Sequence, residues 1–337
     1  MIYDILFVLL ILAELLYFKI ADRFNIIDKP NERSSHSSVV LRGGGVIFSL
    51  SMVAWAVLTV IQGDCSSIVS YLPFLVGLLL VAVVSFWDDV KSLPDSVRLV
   101  AQFAAMALMF WSMGIMHWDM WWIVIVALIV CVGATNVINF MDGINGITAG
   151  YALAVLLPLV LVNSKFGFID QSYLIVAILG VLVFCLFNFR PKGKAKCFAG
   201  DVGSISIAFI MLFAIGRLVV ITQDVTYLIF LLVYGVDGCF TICHRILLHE
   251  NLGEAHRKHA YQLMANELKI GHVKVSLFYM FMQLVVSFGF IYVCPDSVVA
   301  HWGYLVGATV VLGIAYVLFK KKYYHLHEEY LASLKKA

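Results

Sequence analysis

Acidic residues stand at the ends of apolar runs in this chain of 337 residues. Asp88 and Asp89 close one such run, and Asp201 opens another. Carboxylates suit Mg²⁺, which takes one or two of them together with phosphate oxygens. A solvated helix end for the adjacent pair, and a helix N-cap for Asp201, are the structural alternatives. The acids therefore predict a divalent-cation site if other polar residues join them.

Amide and carboxylate side chains recur every three residues at the end of another apolar run. They are Asn136, Asn139, Asp142 and Asn145. A spacing of three places side chains along one face of a helix. Amides on such a face can read the edge of a nucleobase or orient the water of a metal ion. Alternatively, they form hydrogen bonds between helices, a common role of Asn in membrane bundles.

Basic residues lie in two further connections. His256, Arg257 and His259 suit an anion, because a guanidinium fork matches phosphate oxygens and imidazole N–H groups can donate to them. Zinc is disfavoured there, since no cysteine or closed set of four ligands accompanies the histidines. Arg42 precedes three glycines, where the N–H groups of a helix start favour anions. Close packing of small residues is the alternative for these glycines.

The composition is that of a membrane protein. Hydrophobic residues make up 62% and charged residues 13% of the chain, whereas soluble domains hold about 25% charged residues. Eleven apolar runs approach the length of about 20 residues that crosses a bilayer. We therefore predict an all-α, polytopic membrane protein with about eleven transmembrane helices, in which residues 1–337 form a single domain. The runs are 2–20, 43–61, 68–87, 97–113, 120–140, 147–162, 173–189, 202–221, 227–243, 273–293 and 302–319.

The distribution of charge predicts the orientation in the membrane. Of the 23 Lys and Arg residues, 21 fall in connections on one side of this layout, and cytoplasmic connections carry the excess of such residues. The N-terminus is therefore predicted outside and the C-terminus in the cytoplasm, so that the polar clusters share the cytoplasmic face. Asp237 lies within the ninth run, and we expect it to face the bundle interior.

A cation site, a basic loop and amides at a lipid surface together suit a nucleoside diphosphate and a lipid phosphate. The formal net charge of +2 is too small for a nucleic-acid partner. The chain resembles the polyprenyl-phosphate N-acetylhexosamine-1-phosphate transferases, over nearly its whole length and with motifs in the family's order. The matching motifs are residues 28–45, Asp88-Asp89, 136–146, 198–204, Asp237 followed by Arg245, and 256–262.

The resemblance implies a metal centre and catalytic residues. It implies Mg²⁺, or alternatively Mn²⁺, held by Asp201 with Asn139 or Asp142 at the metal or in its shell. Asp88 and Asp89 correspond to an essential acidic pair, for which positioning or a metal-shell role is favoured over that of a general base. The implied catalytic residues are Asp88, Asp89, Asp142 and Arg257.

The resemblance implies substrate contacts in the same way. Asn145 corresponds to the reader of uracil, the residues at 256–259 to those that bind the diphosphate, and Arg98 to a basic group facing the lipid phosphate. Lys29 and Arg42 lie in the first cytoplasmic signature, together with Arg33 and His36. The implied substrate-binding residues are Asn136, Asn145, His256, Arg257, His259, Arg98, Lys29 and Arg42.

The implied reaction moves a HexNAc 1-phosphate, of GlcNAc or a related 6-deoxy sugar, from a UDP-sugar to undecaprenyl phosphate and releases UMP. The lipid product would start the synthesis of a lipopolysaccharide O-antigen, a capsule or a teichoic acid in the bacterial inner membrane. The resemblance leaves open whether the protein forms a homodimer. His-Arg-Lys-His at 256–259 replaces the triple-His motif of lipid I synthase, which argues against a muramoyl-pentapeptide substrate. The main alternative, a secondary transporter or lipid-phosphate flippase, predicts polar groups near the membrane midplane.

Overall fold

Helices make up nearly all of the regular structure. The computed structural model describes residues 1–28, 39–116, 119, 121–251, 253 and 256–334, and the predicted all-α fold is confirmed. The helices are α1 (Ile2–Arg23), α2 (Val46–Ile61), α3 (Cys65–Val90), α4 (Asp95–Ser112), α5 (Trp121–Phe140), α6 (Ile147–Phe166), α7 (Gln171–Asn188), α8 (Gly200–Thr222), α9 (Leu232–Leu247), α10 (Ala260–Gln262), α11 (His272–Tyr292) and α12 (Val298–Leu334). The 3-10 helix Val225–Leu231 leads into α9, a π turn at Leu263–Glu267 follows α10, and β1 (Ile27–Asp28) pairs antiparallel with β2 (Val40–Leu41).

Each of the eleven apolar runs coincides with a helix. α2 is apolar but has only 16 residues, and α1 and α4 contain charged residues. The chain is a multi-pass membrane protein, and the number of its helices that cross the bilayer stays a prediction. Within the described residues, eight segments are long and apolar enough to cross a membrane: Cys65–Val90, Trp121–Phe140, Ile147–Phe166, Gln171–Asn188, Gly200–Thr222, Val225–Leu247, His272–Tyr292 and Val298–Ser333.

α8 is the central helix of the bundle. It packs against α2, α3, α5 and α6, and every residue from Val202 to Ile215 is buried. A helix that is apolar on all sides belongs in a core, where each side finds a neighbour. Its first turn is different, because Asp201 lies there. The same end of the bundle holds the last turns of α3 and α5 and the first turn of α4, and we call it the polar end.

The start of α2 lies directly against the start of α8. A Cβ atom on Gly45 would stand 2.2 Å from the Cα atom of Gly203, so no side chain fits between the two helices. The N–H of Gly44 donates to the carbonyl of Phe198 at 2.9 Å, and the N–H of Gly45 donates to that of Ala199 at 3.1 Å. These N–H groups are used within the fold. Of the two interpretations of the glycines after Arg42, the structure supports close packing.

α12 is much longer than the apolar run that predicted it. The run ends at residue 319, whereas the helix has 37 residues, or about 55 Å at 1.5 Å per residue. A hydrocarbon layer of about 30 Å takes only about 20 residues. Residues 320–334 therefore extend beyond the apolar run. Hydropathy misses this extension because the helix continues there with mainly charged and polar residues.

Candidate active site

A cavity of ≈ 450 Å³ lies at the polar end, between α4, α5, α8 and the segment that follows α9. We call it the site cavity. The described residues that line it are Asp95, Arg98, Leu99, Gln102, Asn136, Asn139, Phe140, Asp201, Gly253, His256 and His259. The structure therefore brings together six of the predicted site residues from four separate parts of the chain: Arg98, Asn136, Asn139, Asp201, His256 and His259.

Asp201 stands on the wall of the site cavity. Its carboxylate accepts a hydrogen bond from Nδ2 of Asn139 at 3.0 Å and pairs with Nη2 of Arg98 at 3.2 Å. Asn139 also donates to Ser204, one turn further along α8, at 2.8 Å. The Asp201 side chain is 18% exposed. It is therefore held in a fixed orientation with one side open to the cavity.

Arg98 joins two of the predicted acids. Its Nη1 lies 3.5 Å from Asp88, and its Nη2 lies 3.2 Å from Asp201. Asp88 also accepts the N–H of Leu93 at 2.6 Å, which fixes the short connection between α3 and α4. That connection sets Arg98 in the first turn of α4, opposite the start of α8. Because Arg98 is still 24% exposed, its guanidinium is available to an anion in the cavity.

Asp89 supports the start of α8 and does not line the described cavity. Its side chain is 0% exposed, and one carboxylate oxygen pairs with Nε of Arg42 at 2.7 Å. The two oxygens also accept the N–H groups of Asp201 at 2.9 Å and of Val202 at 3.0 Å. A helix N-terminus leaves such groups without partners inside the helix, and a carboxylate there interacts favourably with the helix dipole. Asp89 thus positions Asp201.

The predicted row of amides divides where α5 ends. Asn136 donates to Gln102 of α4 at 2.8 Å, which is the interhelical hydrogen bond of the alternative interpretation, and it also lines the cavity. Beyond Phe140 the chain leaves the helix. Asn145 then donates to the carbonyl oxygens of Arg190 and Pro191 at 2.9 and 3.1 Å. With 2% of its surface exposed, Asn145 is outside the described cavity lining, and its position does not support the predicted contact with uracil.

His256 and His259 lie side by side on the cavity wall, with ring centroids 5.0 Å apart. Nδ1 of His256 and Nε2 of His259 are buried and have no hydrogen-bond partner among the described residues. Burial, together with nearby cationic residues, lowers the pKa of His256 to about 3, so this ring is neutral at neutral pH. Buried polar atoms are nearly always paired in folded proteins. Two unpaired nitrogens on one cavity wall therefore point to a polar ligand.

Asp237 fixes the orientation of His259. Its carboxylate lies 3.3 Å from Nδ1 of His259, and it accepts the N–H of Ala260 at 3.0 Å and the hydroxyl of Tyr279 at 2.6 Å. The residue is 3% exposed, which confirms the prediction that it faces the bundle interior. Because Nδ1 of His259 is directed to Asp237, Nε2 is the ring nitrogen left without a partner among the described residues.

Arg257 points away from the site cavity. It donates to Glu267 at 2.9 Å, and its guanidinium carbon lies 4.3 Å from the ring centroid of Tyr330. The position of this side chain does not support the predicted contact with the diphosphate. Lys29, together with Arg33 and His36, lies outside the described residues.

Known proteins are similar to this chain in sequence. Residues 71–220 match the sequence profile of Glycosyl transferase family 4. The probable undecaprenyl-phosphate N-acetylglucosaminyl 1-phosphate transferase of Bacillus subtilis is 27% identical over 266 residues, which cover 73% of this chain and 72% of the relative. The matched profile and this relative support the polyprenyl-phosphate sugar-1-phosphate transferase family as the one that the chain resembles.

Two further relatives match this chain over shorter stretches. The phospho-N-acetylmuramoyl-pentapeptide-transferase of Thermotoga neapolitana is 33% identical over 108 residues, 32% of this chain and 33% of the relative. The enzyme of the same name from Deinococcus radiodurans is 44% identical over 78 residues, 23% and 22% of the two chains. The relatives are named for different sugars, so the comparisons indicate the family and not the sugar.

The donor atoms of the site cavity fit Mg²⁺. Within the part of the chain that the structure describes, no group of three His, Cys, Asp or Glu side chains stands together as a metal site. Mg²⁺ does not need such a group, because it keeps several waters and takes one or two carboxylates with substrate phosphates. Asp201 and Asp88, which share Arg98, offer two carboxylates beside the cavity.

Asp142 lies in the turn after α5 and is outside the described cavity lining. Its Oδ1 accepts the hydroxyl of Thr148 at 2.5 Å. Burial raises the pKa of Asp142 from 3.8 to about 6. A carboxyl group whose pKa is raised by folding stabilises the folded state in its protonated form. That contribution is complete below the unfolded pKa of 3.8 and is lost as the pH rises through about 6.

The pH dependence of stability therefore tests the surroundings of Asp142. We expect Asp142→Asn, which cannot ionise and keeps an oxygen for Thr148, to become more stable relative to the wild type as the pH rises from 3.8 to about 6. Thermal unfolding of both purified proteins in detergent, measured at several pH values, gives the difference. A difference in Tm that stays constant across this range would contradict the raised pKa.

Sequence reasoning missed several cavity residues of α4. Leu99 and Gln102 were part of an apolar run with no role assigned to them. A signal for Gln102 was present, since it lies four residues after Arg98 and therefore on the same face of the helix. At 2% exposure, Gln102 is a buried amide that needs a partner, and Asn136 supplies one.

Proposed function

We propose that this protein transfers an N-acetylhexosamine 1-phosphate from a UDP-sugar to undecaprenyl phosphate and releases UMP. The proposal depends on one observation. Asp201, His256 and His259 line the same cavity, and each of the two histidines has a buried ring nitrogen without a partner among the described residues. A carboxylate suits a divalent cation, and imidazole groups suit phosphate oxygens. The Bacillus subtilis relative is named for the same acceptor, undecaprenyl phosphate, and for GlcNAc as its sugar.

The obstacle to such a transfer is charge. The second pKa of a phosphate monoester is about 6, so the acceptor is largely dianionic at neutral pH and attacks the β-phosphorus without a strong base. The bond to UMP then breaks. Phosphoryl transfer depends chiefly on positioning and on neutralising the phosphate oxygens.

Two residues of the site can neutralise that charge. Arg98 offers a guanidinium to one phosphate group, with 24% of its side chain exposed. His259 offers Nε2, because its Nδ1 is directed to the buried carboxylate of Asp237. In the proposed complex, this nitrogen lies within hydrogen-bonding reach of an oxygen of the diphosphate. Asp201, with Asn139 beside it, would hold Mg²⁺ or Mn²⁺, which supplies further positive charge when bound.

Apolar residues on one side of the cavity support a lipid acceptor. Leu99 of α4 and Phe140 of α5 line the cavity and are 42% and 44% exposed. Both are on helices that face lipid in the proposed arrangement. A prenyl chain can lie along this surface while its phosphate enters the cavity beside Arg98.

The orientation and setting complete the proposal. Nucleotide sugars are cytoplasmic, so the polar end would face the cytoplasm of a bacterium, with the N-terminus outside and residues 1–337 forming one catalytic membrane domain. The product, a sugar diphosphate lipid, would begin a cell-surface polysaccharide such as lipopolysaccharide O-antigen, capsule or teichoic acid.

A coupled assay of UMP release, carried out on the wild-type protein and on variants, tests both the reaction and the residues proposed to perform it. With UDP-GlcNAc, undecaprenyl phosphate and Mg²⁺, we expect UMP from the wild-type protein and about 100-fold less from His259→Ala, the loss seen when one donor to a reacting oxyanion is removed. His325→Ala is the matched control, because His325 is exposed on α12 and should keep wild-type activity. UMP release that does not need undecaprenyl phosphate, or full activity of His259→Ala, would contradict the proposal.

A further inference from the structure

The extension of α12 contacts the segment that carries the two cavity histidines. We call residues 256–267 the signature segment; it contains the histidines, α10 and the π turn. Lys320, at the start of the extension, donates to the carbonyl of Lys258. About two turns later, Nδ1 of His327 lies 3.1 Å from Oε1 of Glu267. The two ends of the segment are thus both tied to α12.

Arg257 joins the same contact from the segment side. It donates to Glu267 at 2.9 Å and lies over the ring of Tyr330 at 4.3 Å. Its side chain is 11% exposed. A guanidinium over an aromatic face is attracted by the ring, and more strongly when both are removed from water. Arg257 therefore faces α12, while its neighbour His256 faces the cavity.

The charged groups of this contact are desolvated. Glu267 is 4% exposed at its side chain, and His327 is 2% exposed. Although burial alone would raise the pKa of Glu267, hydrogen bonds from His327 and Arg257 hold it below its usual value. Removing one partner of a buried pair is far more costly than removing an exposed one, because the other partner is left buried without compensation.

We propose that residues 320–334 are a positioning element of the active site: they hold the signature segment so that His256 and His259 face the site cavity. Arg257 is the anchor of the segment on α12 and does not bind the diphosphate. The kinetic consequence rests on the proposed function, whereas the anchoring itself does not.

Limited trypsin digestion of the full-length protein measures the anchoring. Trypsin cleaves after Arg257 and Lys258, whose side chains are 11% and 9% exposed, so cleavage needs local opening of the segment. We expect His327→Ala and Tyr330→Ala to speed cleavage at these two bonds about tenfold or more, since local protection falls with the opening free energy. His325→Ala, on the exposed side of the same turn, and Tyr330→Phe, which keeps the ring, should stay within about twofold of the wild type.

Kinetics separate a role in the active site from a merely structural one. In the UMP assay, His327→Ala and Tyr330→Ala should raise KM for UDP-GlcNAc about tenfold and leave KM for undecaprenyl phosphate unchanged, since the signature segment faces the diphosphate. Unchanged trypsin cleavage in both variants would overturn the anchoring. Faster cleavage with an unchanged KM for the UDP-sugar would overturn the positioning role. If the wild type releases no UMP, the proposed function fails, and the cleavage rates still decide the anchoring.

Discussion

Replacing Asp201 with Asn should reduce UMP release about 1,000-fold, the upper range for losing one group that stabilises charge in a reacting centre. The reason is the position of its carboxylate, which stands on the cavity wall between Asn139 and Arg98 and opposite the two histidines. Asn keeps the shape of the side chain and removes its charge. The variant would therefore lose a proposed ligand of Mg²⁺ and leave Arg98 paired only with Asp88 and Asp95, while the helix around it stays intact.

Asp95→Asn is the matched control for Asp201→Asn. Asp95 lines the same cavity and lies 3.6 Å from Arg98, yet its side chain is 81% exposed. An exposed ion pair contributes at most about 1 kcal/mol, so this control should keep nearly full activity. Rates of UMP release are compared at equal amounts of inserted protein. An Asp201→Asn protein that kept a substantial part of the wild-type rate would remove Asp201 from the active site.

Asp89→Ala should give the largest loss of stability. The substitution leaves the N–H groups of Asp201 and Val202 without their acceptor and Arg42 without its buried partner. Breaking a buried ion pair from one side costs about 3–5 kcal/mol. We expect a fall in Tm of more than about 5 °C in detergent. Because the start of α8 carries Asp201, UMP release should fall as well.

The two acids at the end of α3 can be distinguished by this measurement. Asp64→Ala is a suitable comparison, since Asp64 caps the start of α3 at an exposed position by accepting the N–H of Ser67 at 3.1 Å, and losing it should cost only about 1 kcal/mol. If Asp89→Ala kept the wild-type Tm but lost UMP release, Asp89 would act in the chemistry and not through the start of α8.

The sequence predicts helices and their polar ends well, because both depend on local patterns. Apolar runs require helices in a membrane, where backbone groups have no water to bond with. The spacing of Asn136 and Asn139 correctly predicts one face of α5. It fails at Asn145, because the periodicity holds only while the chain is helical and α5 ends at Phe140. Nothing in the spacing alone marks that end.

Other parts of the site depend on contacts between distant residues. Asp88 and Asp89 are adjacent in sequence, but consecutive helix residues are rotated by about 100°, so one faces Arg98 and the other the start of α8. The direction of Arg257 is set by Tyr330, on a part of α12 that hydropathy does not predict as helix. A motif therefore identifies which residues are near the site, whereas the tertiary partners decide which of them face it.

The length of α12 also links the site to the thickness of the membrane. Only 11% of its most apolar stretch is buried against the rest of the protein, so most of that stretch is available to lipid. A helix in this setting tilts to match its apolar length to the hydrocarbon layer. The same helix contacts the segment that carries His256 and His259. A change in lipid chain length that tilts the helix would therefore also move this segment, at the proposed site of sugar-phosphate transfer.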